Sequence, residues 1–309
     1  MKVFVTGISG FVGANLARRL LSLGHEVHGI VRPNKDPWRL MDISDNLVLH
    51  RQDLLDREKL HATLMAERPE VVYHTAVYGA YSSQKDADLI LRTAVMSTFD
   101  ILTAAKAAGV GMVVNTGSSS EYGTKDHSMR EDEIVEPSSY YAIGKVAATY
   151  LGQYMARVEK LPVITMRPFS VYGPYEEPGR LVPTIIGKAL DNEDILLADP
   201  ATARDFIYVD DVVEGLIAAS ARVDLSGEVF NLGSGRQEKL EGLMEAVMHA
   251  TGSISKLLWG AYPSGLFDTS VWVADMSKTK DLLSYQARTP LAEGLFKTVE
   301  WFKEHRNFY

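Results

Sequence analysis

The first 24 residues constrain the fold most strongly, because they join a short apolar run to three closely spaced glycines. The run ends just before Gly7, Gly10 and Gly13, which follow the spacing G-x-x-G-x-x-G. Apolar residues then recur every three or four positions from Phe11 to Leu23, which predicts one buried face of a helix. This stretch therefore predicts a strand, a tight turn and a helix.

The same three glycines predict where a ligand would bind. A backbone without Cβ atoms bends sharply and lets a diphosphate approach the N–H groups at the helix N-terminus, where the helix dipole favours negative charge. An ordinary strand-to-helix turn also tolerates glycines, and the spacing differs from the G-x-G-x-x-G of many dehydrogenases. The strand before and the helix after supply the context that the motif needs, so we predict dinucleotide binding at Gly7, Gly10 and Gly13.

Apolar strands and helical segments alternate along the first half of the chain. Further strands are predicted near residues 25, 47, 70, 111 and 163, with a helical segment between most of them. This order is typical of a doubly wound parallel sheet of the α/β class, the Rossmann arrangement, with helices on both faces. From Tyr172 glycine and proline punctuate shorter segments, so we expect a dinucleotide-binding domain at 1–172 and a smaller C-terminal α/β substrate domain at 173–309. We expect the chain to return to the first domain near 206–233.

Composition limits the possible partners and compartments. The 309 residues include no cysteine, which excludes disulfides, thiolate metal sites and cysteine nucleophiles, and fits a reducing compartment. A net charge of −8 argues against general nucleic-acid binding. No apolar run is long enough to span a bilayer, and the glycine-broken N-terminus does not resemble a signal peptide. We therefore expect a cytoplasmic protein with neither nucleic-acid nor membrane partners.

The end of the second predicted strand bears on the choice of cofactor. In dinucleotide folds an acid at this place binds the ribose 2′-OH of NAD, whereas an arginine accommodates the 2′-phosphate of NADP. Here the strand ends at Arg32, and no acid follows until Asp36. Arg32 could also be a solvent-facing loop residue, but the pattern favours NADP(H) over NAD(H).

A tyrosine and a lysine suggest proton transfer. Tyr141 and Lys145 are four residues apart on a predicted helix, so they share one face. A nearby cation stabilises phenolate and lowers the tyrosine pKa, which allows the phenol to donate and accept protons closer to neutral pH. On spacing alone a surface pair is the simpler interpretation, and Tyr81 and Lys85 have the same spacing in a predicted loop. Tyr141 differs because its helix follows the strand that ends before Ser118, so both side chains converge at one edge of the sheet.

Motifs throughout the chain resemble those of the extended short-chain dehydrogenases/reductases, in the nucleotide-sugar epimerase/dehydratase group. The resemblance covers essentially the whole length. The motifs are Thr6-Gly7-x-x-Gly10-Phe11-x-Gly13, Asp53-Leu54, His74-Thr75-Ala76, Ser118 through Tyr122-Gly123, Pro137-x-Ser139-x-Tyr141-x-x-x-Lys145, Arg167 through Pro174, Arg204-Asp205-Phe206 through Asp210-Asp211, and Asn231-Leu232-Gly233.

The resemblance implies specific roles in catalysis. Tyr141 would exchange the substrate proton, Lys145 would hold the nicotinamide ribose and tune the tyrosine, and Ser118 would hydrogen-bond the reacting oxygen. Ser119 is the alternative to Ser118 for this hydrogen bond, and it is also an expected substrate contact.

It also implies binding roles for residues outside the catalytic set. Phe11 would join the three glycines at the cofactor, and Asp53 would lie near the adenine. Arg204 would contact the diphosphate of a nucleotide-diphosphate sugar, with Arg180 as a second phosphate contact. The acidic pair Asp210–Asp211 would begin a helix, and no metal is expected. Relatives are commonly homodimers, for which the segments 86–108 and 140–158 are the candidate helices.

The loop from Ser118 to Gly123 bears on the reaction. Sugar 4,6-dehydratases generally carry Thr-Asp-Glu from the place of Ser118, whereas this chain has three serines there. A shift by one residue would match Ser119-Ser120-Glu121 to the Thr-Ser-Glu of GDP-mannose 4,6-dehydratases, so dehydration stays open. The form Gly-Ser-Ser-x-Glu-Tyr-Gly is most similar to 4-keto-6-deoxysugar reductases such as GDP-6-deoxy-4-ketomannose reductase.

We therefore predict an NADPH-dependent reductase of a nucleotide-linked 4-keto-6-deoxy sugar. The alternatives are a nucleotide-sugar 4-epimerase or 4,6-dehydratase of the same family. A non-catalytic dinucleotide sensor on the same fold is a further alternative, although a sensor would not need Ser118, Tyr141 and Lys145 together.

Overall fold

A computed structural model describes residues 1–81, 83–263 and 269–308, and within them seven strands from residues 2–168 and 229–232 form one sheet. The strands in chain order are β1 (Lys2–Thr6), β2 (Glu26–Val31), β3 (Leu47–Arg51), β4 (Val71–His74), β5 (Met112–Thr116), β6 (Val163–Pro168), β7 (Ser170–Tyr172), β8 (Ile195–Leu197), β9 (Ala203–Arg204), β10 (Phe206–Tyr208), β11 (Val229–Leu232), β12 (Glu238–Lys239) and β13 (Leu257–Trp259). The large sheet has the order β11-β6-β5-β4-β1-β2-β3, and its pairs from β3 through β6 are parallel.

Helices connect these strands. They are α1 (Phe11–Ser22), α2 (Arg57–Glu67), α3 (Ala87–Leu91), α4 (Ser97–Ala108), α5 (Tyr140–Arg157), α6 (Leu181–Asp191), α7 (Val209–Ser220), α8 (Leu240–Thr251), α9 (Ser277–Leu283) and α10 (Leu291–Glu304). A π-helical turn, Arg92–Met96, joins α3 to α4. The predicted doubly wound α/β fold is confirmed, and β1 to β6 match the predicted strands closely.

The strand order explains where a ligand site can form. The chain builds β1, β2 and β3 outward in one direction and then returns to place β4 on the other side of β1. At such a switch point the loops after the two strands separate and leave a crevice at their carboxyl ends. Val3, Phe4 and Val5 of β1 are fully buried, as expected for the centre of a sheet that is covered on both faces.

The chain forms two compact units. Unit 1 comprises residues 1–123, 134–168 and 213–230, and unit 2 comprises 124–133, 169–212 and 231–309. The sequence predicts a division at 172 and a return near 206–233, whereas in the structure the first division lies at 168 and residues 124–133 also belong to unit 2.

Each unit has its own hydrophobic core. Phe4, Leu60, Val72, Ile101 and Val113 are among the buried side chains that pack together in unit 1. The unit 2 core includes Ile185, Leu243, Val299 and Phe302. Among the helices of the described residues, we find none with the length and apolar character to cross a membrane.

Candidate active site

The turn after β1 has the geometry predicted from its glycines. Gly7 adopts a left-handed φ of +70°, and a Cβ there would lie 2.7 Å from the Cα of Ala76. A Cβ on Gly13 would lie 2.2 Å from the carbonyl oxygen of Gly7, and the Gly10 N–H donates to that same oxygen at 2.8 Å. Side chains at Gly7 and Gly13 would therefore collide with backbone, which requires glycine at both places.

The start of α1 fits a dinucleotide diphosphate. Gly10 precedes Phe11 at the helix N-terminus and offers no side chain to cap it, and the first turn contains no acidic residue. The first N–H groups of the helix thus lack a side-chain acceptor, and the positive end of the helix dipole is not neutralised. Both features favour an anion such as a diphosphate.

Arg32 and Asp53 lie at the same edge of the sheet as this turn. Arg32 directly follows β2 and is exposed, and Val31 pairs with Arg51 at the end of β3. Asp53 comes two residues after β3, and its carboxylate accepts a hydrogen bond from the Leu55 N–H at 2.9 Å. Both residues thus lie just beyond the carboxyl ends of neighbouring strands, and their individual roles stay predictions.

A buried hydrogen-bond chain supports the ends of β1 and β4. Thr6 Oγ1 lies 2.7 Å from Nδ1 of His74, and Nε2 of His74 lies 3.0 Å from Oγ1 of Thr98. The Thr98 hydroxyl donates to the Ala94 carbonyl at 2.6 Å, so Nε2 must be the donor towards Thr98. Burial, together with the charge of Lys145, lowers the pKa of His74 to about 3. His74 is therefore a neutral packing residue and not an acid–base catalyst.

Ser118 is oriented by its own loop. It follows β5 and caps a short 3₁₀ turn, Ser119–Tyr122, with its Oγ accepting from the Ser120 N–H at 3.1 Å. The Ser118 N–H donates to Oε1 of Glu121 at 2.9 Å, which completes a capping box. A serine held as an acceptor keeps its hydroxyl proton for donation, which suits the predicted contact with a substrate oxygen.

Glu121 is held by a buried ion pair that the sequence analysis missed. Its Oε2 lies 2.9 Å from Nε and 2.8 Å from Nη2 of Arg167, and it also accepts from the Thr149 hydroxyl at 2.9 Å. The Glu121 side chain has no exposed surface. Burial raises the pKa of the Glu121 carboxyl, although Arg167 opposes that rise. The sequence contains one signal of this ion pair, an arginine within the apolar strand β6, because a buried charge requires a partner.

Tyr141 and Lys145 lie in the first turns of α5, whose N-cap is Ser139. The ammonium of Lys145 donates to the carbonyl oxygen of Thr116 at 2.6 Å and lies 6.0 Å from the ring centroid of Tyr141. Burial lowers the pKa of Lys145 to about 8, while Glu121 opposes the shift. Since Thr116 precedes Ser118 by two residues, this hydrogen bond joins the Tyr141 helix to the loop of Ser118.

The pair Tyr81–Lys85, which has the same spacing as Tyr141–Lys145, lies in a different local structure. Tyr81 and Lys85 lie in irregular chain before α3, and Ser82 falls outside the described residues. Of the two pairs, Tyr141–Lys145 is the one on a helix beside a strand end.

Arg204 and Arg180, the predicted phosphate contacts, both belong to unit 2. Arg204 ends β9, donates to the Ala203 carbonyl at 2.7 Å and lies 5.5 Å above the ring of Trp272. Arg180 caps α6, is exposed and lies 3.8 Å from the Glu176 carboxylate. Burial raises the pKa of Glu176 to about 8, against the opposing charge of Arg180. Roles for Arg180, Arg204 and Ser119 in substrate binding stay predictions.

Two acids near Arg204 organise loops in unit 2. Asp205 is fully buried and accepts from the backbone N–H groups of Ser234, Gly235 and Ala274 at 2.7–3.1 Å. Asp211, in the first turn of α7, accepts from two N–H groups of the loop before α10 at 3.0 and 2.9 Å. The expected acidic helix start is therefore present, and the carboxylate of Asp211 binds backbone. The sequence analysis assigned no role to Asp205. An acid between an arginine and an apolar strand was nevertheless a signal of a buried carboxylate that needs hydrogen-bond donors.

Comparison with known proteins gives a consistent result across the chain. Residues 3–233 match the model of the NAD dependent epimerase/dehydratase family. A UDP-glucose 4-epimerase of Mycolicibacterium smegmatis is 32% identical over 314 residues, covering 98% of this chain and 99% of that protein. A dTDP-glucose 4,6-dehydratase of Streptomyces griseus is 28% identical over 321 residues, covering 99% and 95%.

A solved structure extends the likeness to three dimensions. The UDP-glucuronic acid 4-epimerase of Bacillus cereus, in complex with UDP-glucuronic acid and NAD, superposes with a TM-score of 0.88 at 27% identity. The match covers 99% of this chain and all of the other. These relatives thus include epimerases as well as a dehydratase. They give no support to a preference for NADP.

Proposed function

The chain belongs to the NAD dependent epimerase/dehydratase family, and we propose that it is a 4-epimerase of a UDP-linked hexose. The observation that carries the proposal is the match of nearly the whole chain to a UDP-glucose 4-epimerase at 32% identity, and the content of the loop after β5 agrees with it. This loop contains the Ser118 hydroxyl and follows Thr116, whose carbonyl binds Lys145, while the carboxylate of Glu121 is withdrawn into an ion pair with Arg167. Those groups suit the oxidation and reduction of a carbinol, which needs proton transfer at one oxygen.

The reaction needs a proton acceptor and donor at a single sugar oxygen. Tyr141, as phenolate, would take the proton of the C4 hydroxyl while Ser118 donates a hydrogen bond to that oxygen. The buried ammonium of Lys145 stabilises the phenolate and, through Thr116, keeps α5 against the end of β5. In the return step Tyr141 gives the proton back to the oxygen of the 4-keto sugar.

The dinucleotide, when bound, would accept hydride from C4 and return it to the opposite face of the same carbon. Gly7, Gly10 and Gly13 would hold its diphosphate at the start of α1, with Phe11 beside them and Asp53 near the adenine. The exposed position of Arg32 directly after β2 supports NADP(H) as the proposed preference. The Bacillus cereus epimerase, in contrast, is in complex with NAD.

Dehydration has less support from the site. Eliminating water between C5 and C6 requires an acid and a base near those carbons, beyond the tyrosine. The shifted match of Ser119-Ser120-Glu121 to a dehydratase would assign one of these roles to Glu121, whose carboxylate has no exposed surface and already binds Arg167 and Thr149.

The 4-keto sugar reductase predicted from the loop pattern remains a second candidate. It would use the same Ser118, Tyr141 and Lys145, and both the loop sequence and Arg32 favour it. The relatives support the epimerase instead, since a UDP-glucose 4-epimerase matches nearly the whole chain at 32% identity. A cytoplasmic location and a homodimer are part of the proposal, as expected from the sequence.

Isotope-labelled substrates distinguish these reactions. The protein is incubated with UDP-glucose or UDP-glucuronic acid carrying deuterium at C4, and the sugars are analysed by NMR and mass spectrometry. An epimerase yields a mixture of both C4 epimers that retains deuterium, with no net formation of reduced dinucleotide.

Other results would contradict the proposal. Consumption of one NADPH for each 4-keto-6-deoxy sugar, without epimerisation, would assign a reductase. A product lighter by one water would assign a dehydratase. Tight dinucleotide binding without turnover of any nucleotide sugar would favour the sensor.

A further inference from the structure

A second group of titratable side chains lies within unit 1, between β2, β3 and the end of α2. His28 is in the first half of β2, His50 is near the end of the neighbouring edge strand β3, and Glu67 is the last residue of α2. We refer to these three residues as the histidine cluster. Within the residues that the structure describes, it is the one group of histidine and acidic side chains whose ligand atoms lie close enough to share a metal ion.

The spacing of the two ring nitrogens and the Glu67 carboxylate fits a tetrahedral ion. Nδ1 of His28 lies 3.4 Å from Nε2 of His50 and 3.3 Å from Oε2 of Glu67. Nε2 of His50 lies 3.7 Å from Oε1 of Glu67. Ligand bonds of about 2.0–2.1 Å in a tetrahedron place neighbouring donor atoms about 3.3 Å apart, so little movement would be needed.

A fourth side chain orients His28 for metal binding. Nε2 of His28 lies 2.8 Å from Oε1 of Glu26, so the Nε2–H donates to that carboxylate. In the neutral ring this leaves the lone pair of Nδ1 pointing at His50 and Glu67. A carboxylate on the far nitrogen of a ligand histidine is the usual outer contact in zinc sites.

The charges around the histidine cluster also suit a cation. The lone pair of Nδ1 of His28 and a carboxylate oxygen of Glu67, 3.3 Å apart, repel each other unless a proton or metal lies between them. Glu67 ends α2, where the helix dipole favours positive charge. Lys2 lies 3.1 Å from Oε2 of Glu67 and 3.5 Å from Oε1 of Glu26, which leaves Oε1 of Glu67 facing His50.

We propose that His28, His50 and Glu67 form a binding site for a divalent transition-metal ion of the zinc type, with a water in the fourth position. The ion would join the edge strand β3 to β2 and to the end of α2. Its role would be structural, because its three ligands belong to three different elements and none of them belongs to the glycine turn or to the loops of Arg32 and Ser118.

Metal binding is measured directly on the full chain. Protein treated with a chelator is dialysed against Zn²⁺, and bound metal is determined by mass spectrometry. We expect about one Zn²⁺ per chain and a higher Tm with Zn²⁺ than without, since a ligand that binds the folded state stabilises it. Co²⁺ should give the visible absorption of a four-coordinate ion, and Mg²⁺, which prefers oxygen ligands, should give no stabilisation.

Two variants and a control locate the site. His50→Ala and Glu67→Gln should each lose the bound Zn²⁺ and the rise in Tm, and Glu67→Gln conserves the size of the side chain in case His50→Ala folds poorly. His127→Ala is the matched control, because His127 also contacts two carboxylates, Asp126 and Glu133, but has no second histidine.

The outcomes decide the proposal independently of the enzyme's reaction. Unchanged zinc content in both variants, or no Zn²⁺ bound by the wild type, would overturn it. Turnover of the chelated and the zinc-loaded protein should be equal, so failure of the proposed epimerase activity would leave this test unaffected.

Discussion

Arg167 binds the Glu121 carboxylate through two nitrogens, at 2.9 and 2.8 Å from the same oxygen, within the closed interior of unit 1. The pair spans 46 residues of sequence and fixes the loop of Ser118 through the capping box. The ion pair also affects the chemistry of the loop, because the carboxylate of Glu121, the one carboxylate there, is not available to a substrate.

Replacing Glu121 with Gln should therefore reduce stability. The variant leaves the guanidinium of Arg167 buried without a counter-charge, and breaking a buried pair in this way costs on the order of 3 kcal/mol. Thermal unfolding should show a drop in Tm of several degrees. The control is Glu214→Gln, which breaks the half-exposed pair with Arg19 and should change Tm little. A normal Tm with a large loss of kcat in Glu121→Gln would instead indicate a direct role in catalysis.

Replacing Tyr141 with Phe removes the proposed proton carrier. Turnover should fall by about 10²–10⁴, the usual contribution of a positioned acid–base group. Dinucleotide affinity, measured by titration, should remain close to that of the wild type, because the glycine turn is unchanged. Tyr140→Phe is a matched control, since Tyr140 is the preceding helix residue and 56% exposed. Near-normal turnover in Tyr141→Phe would rule out the assignment.

The activity should decline on the alkaline side because of Lys145. Burial lowers its pKa from the ordinary 10.5 to about 8, so the ammonium that supports the Tyr141 phenolate loses its proton near pH 8. A pH profile of kcat/KM, which reports groups of the free enzyme, should fall above that pH.

The same shift predicts an effect on stability. The unfolded chain keeps this proton up to about pH 10.5, whereas the folded protein releases it near 8. Between these values the unfolded state binds more protons, so this group's contribution to stability rises with pH.

The variant Lys145→Arg tests the activity profile. It should remove the alkaline limb of kcat/KM near pH 8, because arginine stays charged. A wild-type limb at the ordinary lysine value, or an unchanged limb in Lys145→Arg, would contradict the assignment.

Arg32 tests the choice of dinucleotide. If it binds the 2′-phosphate, Arg32→Ala should weaken NADP(H) binding by roughly tenfold or more, since a charge-assisted hydrogen bond contributes about 1.5–3 kcal/mol. NAD(H) affinity should stay unchanged. Lys35→Ala, three residues further along the same loop, controls for a general loss of positive charge. A wild type that prefers NAD(H), or an NADP(H) preference that survives in Arg32→Ala, would make the prediction wrong.

Local patterns were enough to predict much of the fold. The strand β1, the helix α1 and the glycine turn between them depend on residues within one short stretch, and the structure has them at the predicted places. The helix that carries Tyr141 and Lys145 is equally local. Features that join distant segments were not predictable in this way. The partners Glu121 and Arg167 become neighbours only when the sheet forms.

The π turn at residues 92–96 shows the same limit. Its sequence continues the helical pattern of 86–108, so periodicity alone predicts one unbroken helix. In the structure Gly144 of α5 approaches the turn so closely that a Cβ there would lie 2.6 Å from the Cβ of Ala94. The interruption accompanies packing between two helices far apart in sequence, which a single-sequence pattern does not contain.

The outer face of α5 exposes more apolar surface than a helix in contact with water needs. Ile143, Tyr150 and Tyr154 are 44%, 59% and 52% exposed, and their spacing of seven and four residues places them along one stripe. An apolar stripe of this kind commonly marks a protein interface. This observation supports a homodimer through α5 and the neighbouring segment that includes α4.

A charge on that stripe should dissociate the predicted homodimer. Tyr150→Glu would bury an unpaired carboxylate at the interface, which disfavours association because a charge removed from water needs a partner. Light scattering after size exclusion should give twice the chain mass for the wild type and a single chain mass for the variant. Ile254→Glu is the control, because Ile254 is 85% exposed in a unit 2 loop and lies off the stripe. A monomeric wild type would remove the basis of the prediction, and a Tyr150→Glu protein that stays dimeric would place the interface on another face of the molecule.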